Sequence, residues 1–420
     1  FFQHPAGGLR DGLIHAVYGA IYGKLHDVIL DHPWTGPSVM PVLTHMGAAA
    51  PCGLVGYEST VFGPEYANNL FACQFNMHKI SRHVLTVSGA TYSSHDEDFL
   101  VSDNHDFHPT DVVEDADGSL LVVDTGGWYK ICCPTSQLQK PDVLGAIYRV
   151  RRTKAPRIDD PRGLAVPWAS LDANSLAERL NDPRPAVRRL AIERLAAKKE
   201  AAIPALQHAL DANGHSAQSR RNAVWTLARI DHRDARAAVR AALADPDADV
   251  RQAALNVVSL WRDQEAAADL LRMLESGTAM NRRLAAEALG RIGDRSAVGS
   301  LLKAAEQPAD RFLHHAITYA LIEIGDGETV RRIGLSSENP RVLRTALAAL
   351  DQMPGGKLAA EAVVSRLGTN DAELRETLLW IAGRHPDWGE KLAGYFRAEL
   401  DGVASKPAAA QDELQSLLAR

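Results

Sequence analysis

The chain has 420 residues, of which 46% are hydrophobic and 23% charged, with a formal net charge of −6. That length holds at least two globular domains, and the absence of any run of eighteen apolar residues argues against a membrane-spanning helix. The four cysteines (Cys52, Cys73, Cys132, Cys133) include no Cys-x-x-Cys-His, so this segment carries no c-type haem attachment motif.

Charge divides sharply along the chain. Residues 1–159 carry 11 Lys and Arg against 17 Asp and Glu, whereas the remainder carries 35 of each. Ten of the sixteen histidines fall before residue 110, so a site is expected in this acidic, histidine-rich half. The neutral second half argues against a nucleic-acid surface, which needs a basic stripe. The chain opens at Phe1 in what reads as folded sequence, without methionine or signal peptide, and is expected to be a piece of a longer protein.

From residue 40 to 152 short apolar runs alternate with turn residues. Gly53–Tyr57, Asn69–Cys73, Lys79–Leu85, Ser119–Asp124 and Gly145–Val150 read as strands, a spacing that suits a β-propeller or a sandwich. Asp115-Ala116-Asp117-Gly118 invites a calcium reading, but an EF-hand needs further ligands and a downstream bidentate Glu. A strand follows at once, so a plain turn is expected.

The densest polar cluster is His95-Asp96-Glu97-Asp98 with Asp103-Asn104-His105-Asp106-Phe107-His108, reaching to Asp111. Residues that precede a blade's inner strand face a propeller's central channel, which makes His105, His108 and Asp111 ligand-channel candidates. His45 is a further channel candidate. Asp103 and Asp106 are candidate ligands for calcium or a borderline divalent ion, because carboxylates mixed with imidazoles suit such metals. The alternative is a solvated acidic loop. His108 likewise has two readings: a channel-lining ring, or a packed ring under Trp128 that donates to a strand-end carbonyl. Cys132 and Cys133 are either a strained vicinal disulfide with a redox role or two thiols, and Trp128 and Tyr129 are expected to pack.

Several of these segments carry a resemblance. Ala50-Pro51-Cys52-Gly53-Leu54, Asn69-Leu70-Phe71, His108-Pro109-Thr110-Asp111-Val112, Asp117-Gly118-Ser119-Leu120 and Gly145–Val150 resemble the closing blades of glucose/sorbosone dehydrogenase propellers. Asp106–Asp111 and Asp124–Pro134 resemble more closely the planctomycete-type membrane-bound dehydrogenase family, in which a propeller is followed by HEAT repeats and often by a c-type cytochrome domain. The resemblance implies the last blades of a six-bladed propeller, pyrroloquinoline quinone (PQQ) with calcium, a sugar or related alcohol as substrate, a cytochrome as electron acceptor, and a periplasmic or otherwise extracytoplasmic location. The family clamps the quinone's carboxylates with a lysine and two arginines. This sequence places Asn76, His108 and Thr110 there, so the charges of the clamp are missing.

Arg151 to Pro167 contains Pro156, Pro161 and Pro167 among charged residues and reads as a tether, with the first helix expected from about Asn174. Beyond it, Arg188, Arg220, Arg251, Arg282, Leu313, Arg344 and Arg375 recur at steps of 32 and then 31 residues. A small or apolar residue (Ala191, Ala223, Ala254, Ala285, Ala316, Leu347, Leu378) stands three positions after each. A fixed period of this length marks stacked repeats. Each unit reads as two helices: Val250, Ala253, Ala254, Val257, Val258 and Trp261 make one apolar face, and Ala267, Leu270, Leu271 and Leu274 another. Asp182–Ala191 and Leu289–Asp294 resemble HEAT repeats of the short bilin-lyase-like variety. The arginines are expected to bond the preceding turn or a neighbouring carboxylate.

The sequence therefore predicts residues 1–152 as the C-terminal part of a dehydrogenase-like β-propeller, 153–168 as a linker, and 169–420 as an α-solenoid of about seven to eight HEAT repeats. Two functions stand side by side. One is a fragment of an extracytoplasmic dehydrogenase, with the repeats docking a protein partner. The other is a non-catalytic scaffold whose propeller has lost the quinone and whose solenoid binds a protein or polysaccharide.

Overall fold

The computed structural model describes residues 11–23, 31–127, 140 and 142–401. Its residues form two compact units. The first holds those within 1–16, 22–25 and 41–261, and the second those within 17–21, 26–40 and 262–420.

The first unit contains the strands. β1 (Asp11–Leu13) pairs antiparallel with β2 (Thr44–Gly47). β3 (Pro51–Gly56), β4 (Leu70–Gln74), β5 (Lys79–Ser88) and β6 (Thr91–Val101) make a four-stranded antiparallel meander in chain order. β7 (Pro109–Glu114), β8 (Leu120–Asp124) and β9 (Ala146–Val150) make a three-stranded one. The described strands close no barrel and no propeller ring. The polar run His95–Asp98 is not a loop but part of β6, where it faces β5. Lys79 pairs with Asp98 at 2.6 Å, Arg82 with Glu97 at 2.9 Å and His83 with Asp96 at 2.7 Å. Arg82 and Glu97 stand directly opposite each other in the register, and opposite charges so placed stabilise a ladder.

Between the meanders Tyr57, Phe71, Ile80, Val112, Leu120 and Val122 form a buried core. β3 and β7 approach closely there, since a Cβ added to Gly53 would lie 2.5 Å from the Asp111 Cα. At the turn before β8 the Gly118 N–H donates to the Asp115 carbonyl and Asp117 Oδ1 accepts from the Ser119 N–H, so Asp-x-Asp-Gly is the plain turn expected.

The connection to the helices is held rather than loose. Arg152 donates to the Phe62 carbonyl, and the Asp160 carboxylate accepts from the N–H groups of Leu164 and Ala165. The first helix, α1 (Ala173–Glu178), starts where the Asp172 side chain accepts from the Ser175 N–H. α2 (Pro185–Ala197), α3 (Ile203–Ala209), α4 (Ala217–Leu227), α5 (Arg233–Ala241) and α6 (Ala248–Trp261) follow in the same unit.

The second unit contains α7 (Ala267–Ser276), α8 (Ala279–Ile292), α9 (Val298–Ala304) and α10 (Arg311–Ile324). After the single turn α11 (Gly327–Thr329) and a π-helical stretch come α12 (Pro340–Gln352), α13 (Ala360–Val364), α14 (Ala372–Arg384) and α15 (Gly389–Asp401). Side chains of Thr278, Asp310 and Asp371 cap α8, α10 and α14, each satisfying one of the first N–H groups that a helix leaves unpaired.

Four of the recurring arginines hold turns together. Arg220 grips Asp245 with two bonds of 2.8 and 3.0 Å and donates to the His215 carbonyl. Arg251 donates to the carbonyls of Asp245 and Pro246, Arg282 to those of Leu274 and Ala304, and Arg375 to that of Thr369. Each thereby supplies donors to turn carbonyls that no helix bond reaches, which is the physical reason for a long cation at a fixed interval.

Candidate functional site

The strand half brings together part of the predicted cluster. His108 is buried, and its Nδ1 lies 3.1 Å from the Asp106 carbonyl and 3.0 Å from that of Gly126, so this nitrogen carries the proton and donates. The ring lies 4.6 Å from Phe75 and 5.2 Å from His78, and His105, exposed, sits 5.7 Å from His78. Asn76 is exposed on the short turn between Phe75 and His78, its backbone N–H bonded to the Ala49 carbonyl. The sequence reading missed His78, whose left-handed backbone (φ 52°) ends that turn and whose Nδ1 donates to the Phe107 carbonyl.

The remaining candidates lie elsewhere or are engaged. His45 is exposed on β2 opposite Gly12. Thr110 donates to the Val123 carbonyl, and exposed Asp111 accepts from the Val112 N–H. Asp103 is exposed. Asp106 pairs with Lys140 at 2.5 Å, and that ammonium holds its carboxyl below the ordinary range. Among the described residues no group of three or more His, Cys, Asp or Glu side chains converges in a way that could hold a metal ion. Cys132, Cys133, Trp128 and Tyr129 lie outside the described residues. Cys52 and Cys73 are free thiols, and burial raises both above the usual thiol range. At the three clamp positions, then, Asn76 and Thr110 are neutral side chains. The one ionisable group, His108, spends its Nδ1 proton on backbone carbonyls. These residues do not fit the carboxylates of PQQ.

One network, buried at Ser81 and His83 and exposed at Asp96, has the connectivity of a nucleophilic triad. Ser81 Oγ lies 2.8 Å from His83 Nε2, and His83 Nδ1 lies 2.7 Å from Asp96. Burial acts to raise the Asp96 carboxyl, but bonds from Ser94, Thr44 and His83 outweigh it and hold it low. Ser81 is only 3% exposed and also accepts from Gln74 Nε2, so no substrate reaches it. The network ties strands together.

A denser constellation lies in the second unit, where the sequence pattern marked only an irregularity. Leu313 breaks the arginine series on α10 and the pair His314-His315 follows it. Residues 17–21 and 31–40 lie against this helix. The Tyr18 carbonyl is 2.8 Å from His315 Nε2, and a carbonyl can only accept, so Nε2 carries the proton. Nδ1 is then the acceptor for the Thr35 hydroxyl at 2.8 Å, and that oxygen in turn accepts from Arg311 Nη1 at 3.1 Å. Arg311 Nη2 donates to the Ser38 carbonyl, and Gln352 Oε1 accepts from the Trp34 N–H. Burial holds the His315 imidazole neutral, its pKa lowered to about 4.

Aromatic contacts complete the arrangement. Tyr319 stacks on both His32 and His315 and meets the edge of Tyr18. The Tyr18 hydroxyl donates to Glu323 at 2.9 Å, beneath the Arg291 guanidinium 4.5 Å from its ring centre. Repeat side chains therefore read backbone groups of an irregular segment at three points. Beside it two adjoining cavities of about 200 and 260 Å³ share His314, Arg344 and Glu373 in their walls.

Comparison with known proteins agrees with the repeats. The HEAT repeats family matches residues 173–255, 211–289 and 237–322, and a domain of unknown function (DUF7133) matches residues 32–154. The chain thus carries an α-solenoid of HEAT repeats and a DUF7133 domain. These matches leave the resemblance to the membrane-bound dehydrogenase family unconfirmed. No curated protein matches the chain.

Among solved structures, the complex of CpcE and CpcF of phycocyanin lyase from Nostoc sp. PCC7120 is 21% identical, with 62% of this chain and 100% of that one covered and a TM-score of 0.32. Kap95p, solved with RanGDP, is 15% identical over 57% of this chain and 39% of its own, with a TM-score of 0.42. Human deoxyhypusine hydroxylase is 16% identical over 55% of this chain and 98% of its own, with a TM-score of 0.25.

Proposed function

We propose that this chain is a non-catalytic scaffold whose HEAT repeats bind irregular polypeptide segments through their backbone groups. One observation carries the reading: α10 and α12 hold residues 31–40 through Arg311, which donates to the Ser38 carbonyl, Gln352 Oε1, which accepts from the Trp34 N–H, and His315 Nδ1, which accepts from the Thr35 hydroxyl. Main-chain recognition tolerates many sequences, which suits a docking module, and charge-assisted bonds of this kind are the stronger ones. HEAT repeats also favour binding over chemistry, although a fold alone never fixes a function. The strand half is read as neighbouring blades of a partial propeller, supported by the two meanders and by the close approach of β3 to β7. The oxidoreductase reading keeps only its sequence resemblance.

The test uses a synthetic peptide of residues 31–40 and the full chain carrying Trp34→Ala and Thr35→Ala, which weaken the resident segment. Saturable binding of the labelled peptide, weakened about tenfold or more by a further Arg311→Ala, is expected. Absence of binding, or binding indifferent to Arg311→Ala, would refute main-chain docking at this face.

A further inference from the structure

Cys52 on β3 and Cys73 on β4 lie 21 positions apart in sequence and side by side in the four-stranded meander. The register pairs Pro51 with Gln74 and Leu54 with Ala72, so Cys52 and Gly53 share the place opposite Cys73 in a β-bulge. Both side chains leave the sheet on the same face: Cys73 belongs to the core between the meanders, and Cys52 packs against that core. Cys52 Sγ stands 4.0 Å from the Cys73 carbonyl oxygen and donates to the Pro109 carbonyl at 3.1 Å.

We propose that Cys52 and Cys73 are a dithiol that closes into a cross-strand disulfide when the chain meets a small-molecule disulfide such as oxidised glutathione. Opposed residues of antiparallel strands stand about 4.5–5.5 Å apart at Cα, inside the span of about 4.4–6.8 Å that a disulfide bridges. The shared face meets the second requirement, since side chains that point apart cannot be joined without moving the backbone. Electrostatics gives a further sign of closeness: burial raises the Cys73 thiol, and an ionised Cys52 beside it raises it more. The bond would tie β3, the strand that approaches β7, to the interior of its own sheet.

Exchange enters at Cys52, which is half-buried, whereas Cys73 has no exposure. The Cys52 thiolate attacks one sulfur of the glutathione disulfide and expels a glutathione thiolate, leaving a mixed disulfide. The Cys73 thiolate then attacks the Cys52 sulfur and expels the second glutathione. The two protein thiols are oxidised, the glutathione disulfide is reduced, and the protons leave on the released thiols. Burial holds both cysteines above the usual thiol range, which slows exchange without changing where it ends. This inference concerns the strand half alone and does not rest on docking by the repeats.

The experiment uses the full chain carrying Cys132→Ser and Cys133→Ser, or the unsubstituted chain should that variant fail to fold. It is held folded, and separately unfolded in urea, in glutathione buffers stepped from reducing to oxidising until its state stops changing. Remaining thiols are then blocked and the peptides mapped by mass spectrometry. A peptide linking Cys52 to Cys73 that disappears on treatment with dithiothreitol is expected. At one buffer composition the linked form should be favoured at least about tenfold in the folded chain over the unfolded one. Three results would each overturn the proposal: both thiols still open to blocking in the most oxidising buffer, glutathione held on Cys52 without an internal bond, or a pair that closes no more readily folded than unfolded.

Discussion

Thr35 and His315 lie 280 positions apart in sequence and meet through a hydrogen bond of 2.8 Å that fixes which ring nitrogen carries the proton. The bond is one link in a directed series: Arg311 donates to Thr35, Thr35 to His315, and His315 to the Tyr18 carbonyl. Every polar group in that series is satisfied with the imidazole neutral. A second proton would sit on Nδ1, where it would confront the Thr35 hydroxyl hydrogen and stand near the Arg311 cation.

This arrangement predicts a pH dependence with a definite sign. The folded His315 has a pKa of about 4, against 6.5 for an unperturbed imidazole. Between those values the unfolded chain binds a proton that the folded one refuses. Stability is therefore complete above about pH 6.5 and declines by roughly 3 kcal/mol as pH falls toward 4. Amide hydrogen exchange of α10 should show the decline, and His315→Gln should flatten it. His314, also depressed by burial, contributes in the same direction, so His314→Gln combined with His315→Gln should flatten it further. An unchanged slope in the double variant would remove the imidazoles from the explanation.

Gly19 tests the docking of the first segment. Its φ is +71°, and a Cβ there would lie 2.3 Å from a Tyr319 ring carbon. Gly19→Ala combines a left-handed strain with a clash and is expected to cost about 2 kcal/mol or more of local stability. Faster exchange or proteolysis confined to residues 17–21 and 31–40, with α10 still helical, is the expected result. Tyr319→Ala removes the clash and should restore part of the protection. Equal protection in Gly19→Ala and the parent chain would contradict the packing described.

In the first unit Arg220 and Asp245 are both nearly buried and face each other with two bonds. Removing one partner strands the other charge, so Asp245→Ala should destabilise this unit by roughly 3 to 5 kcal/mol. Replacing both by apolar residues of similar volume should cost far less than twice that. Urea unfolding of the single and double variants measures the difference, and additive losses would show that the pair is not coupled.

The repeats were legible because their physics is local and periodic. Apolar faces at helical spacing and arginines that bond turn carbonyls recur every 31 residues, and a period survives any single irregularity. Strands β3, β4, β5, β8 and β9 were legible for a similar reason, but β1, β2, β6 and β7 were not, and His95–Asp98 in β6 read as a loop. Cross-strand partners such as Lys79 and Arg82 are what make such an acidic run a strand, and they are not adjacent in sequence. The site at His315 could not be read at all. It depends on Tyr18 and Thr35 meeting residues about 300 positions later, and its one visible trace was the replacement of arginine by leucine at position 313.

His108 is where sequence and structure diverge most usefully. The sequence left open a ring facing a channel, since a turn residue before Pro109 needs no imidazole. In the fold the ring holds the turn together. Its Nδ1–H serves the carbonyls of Asp106 and Gly126, while Asp124 Oδ1 accepts from the His108 N–H and from that of Gly126. His108→Ala would leave both carbonyls without that donor and open a space beside Phe75 and His78. A loss of about 2–3 kcal/mol in thermal or urea unfolding is expected. His108→Asn, which can still donate, should recover part of it. If His108→Ala instead left the melting temperature unchanged while abolishing binding of a sugar or quinone to the strand half, the ring would be a ligand contact and its bonds to the turn incidental.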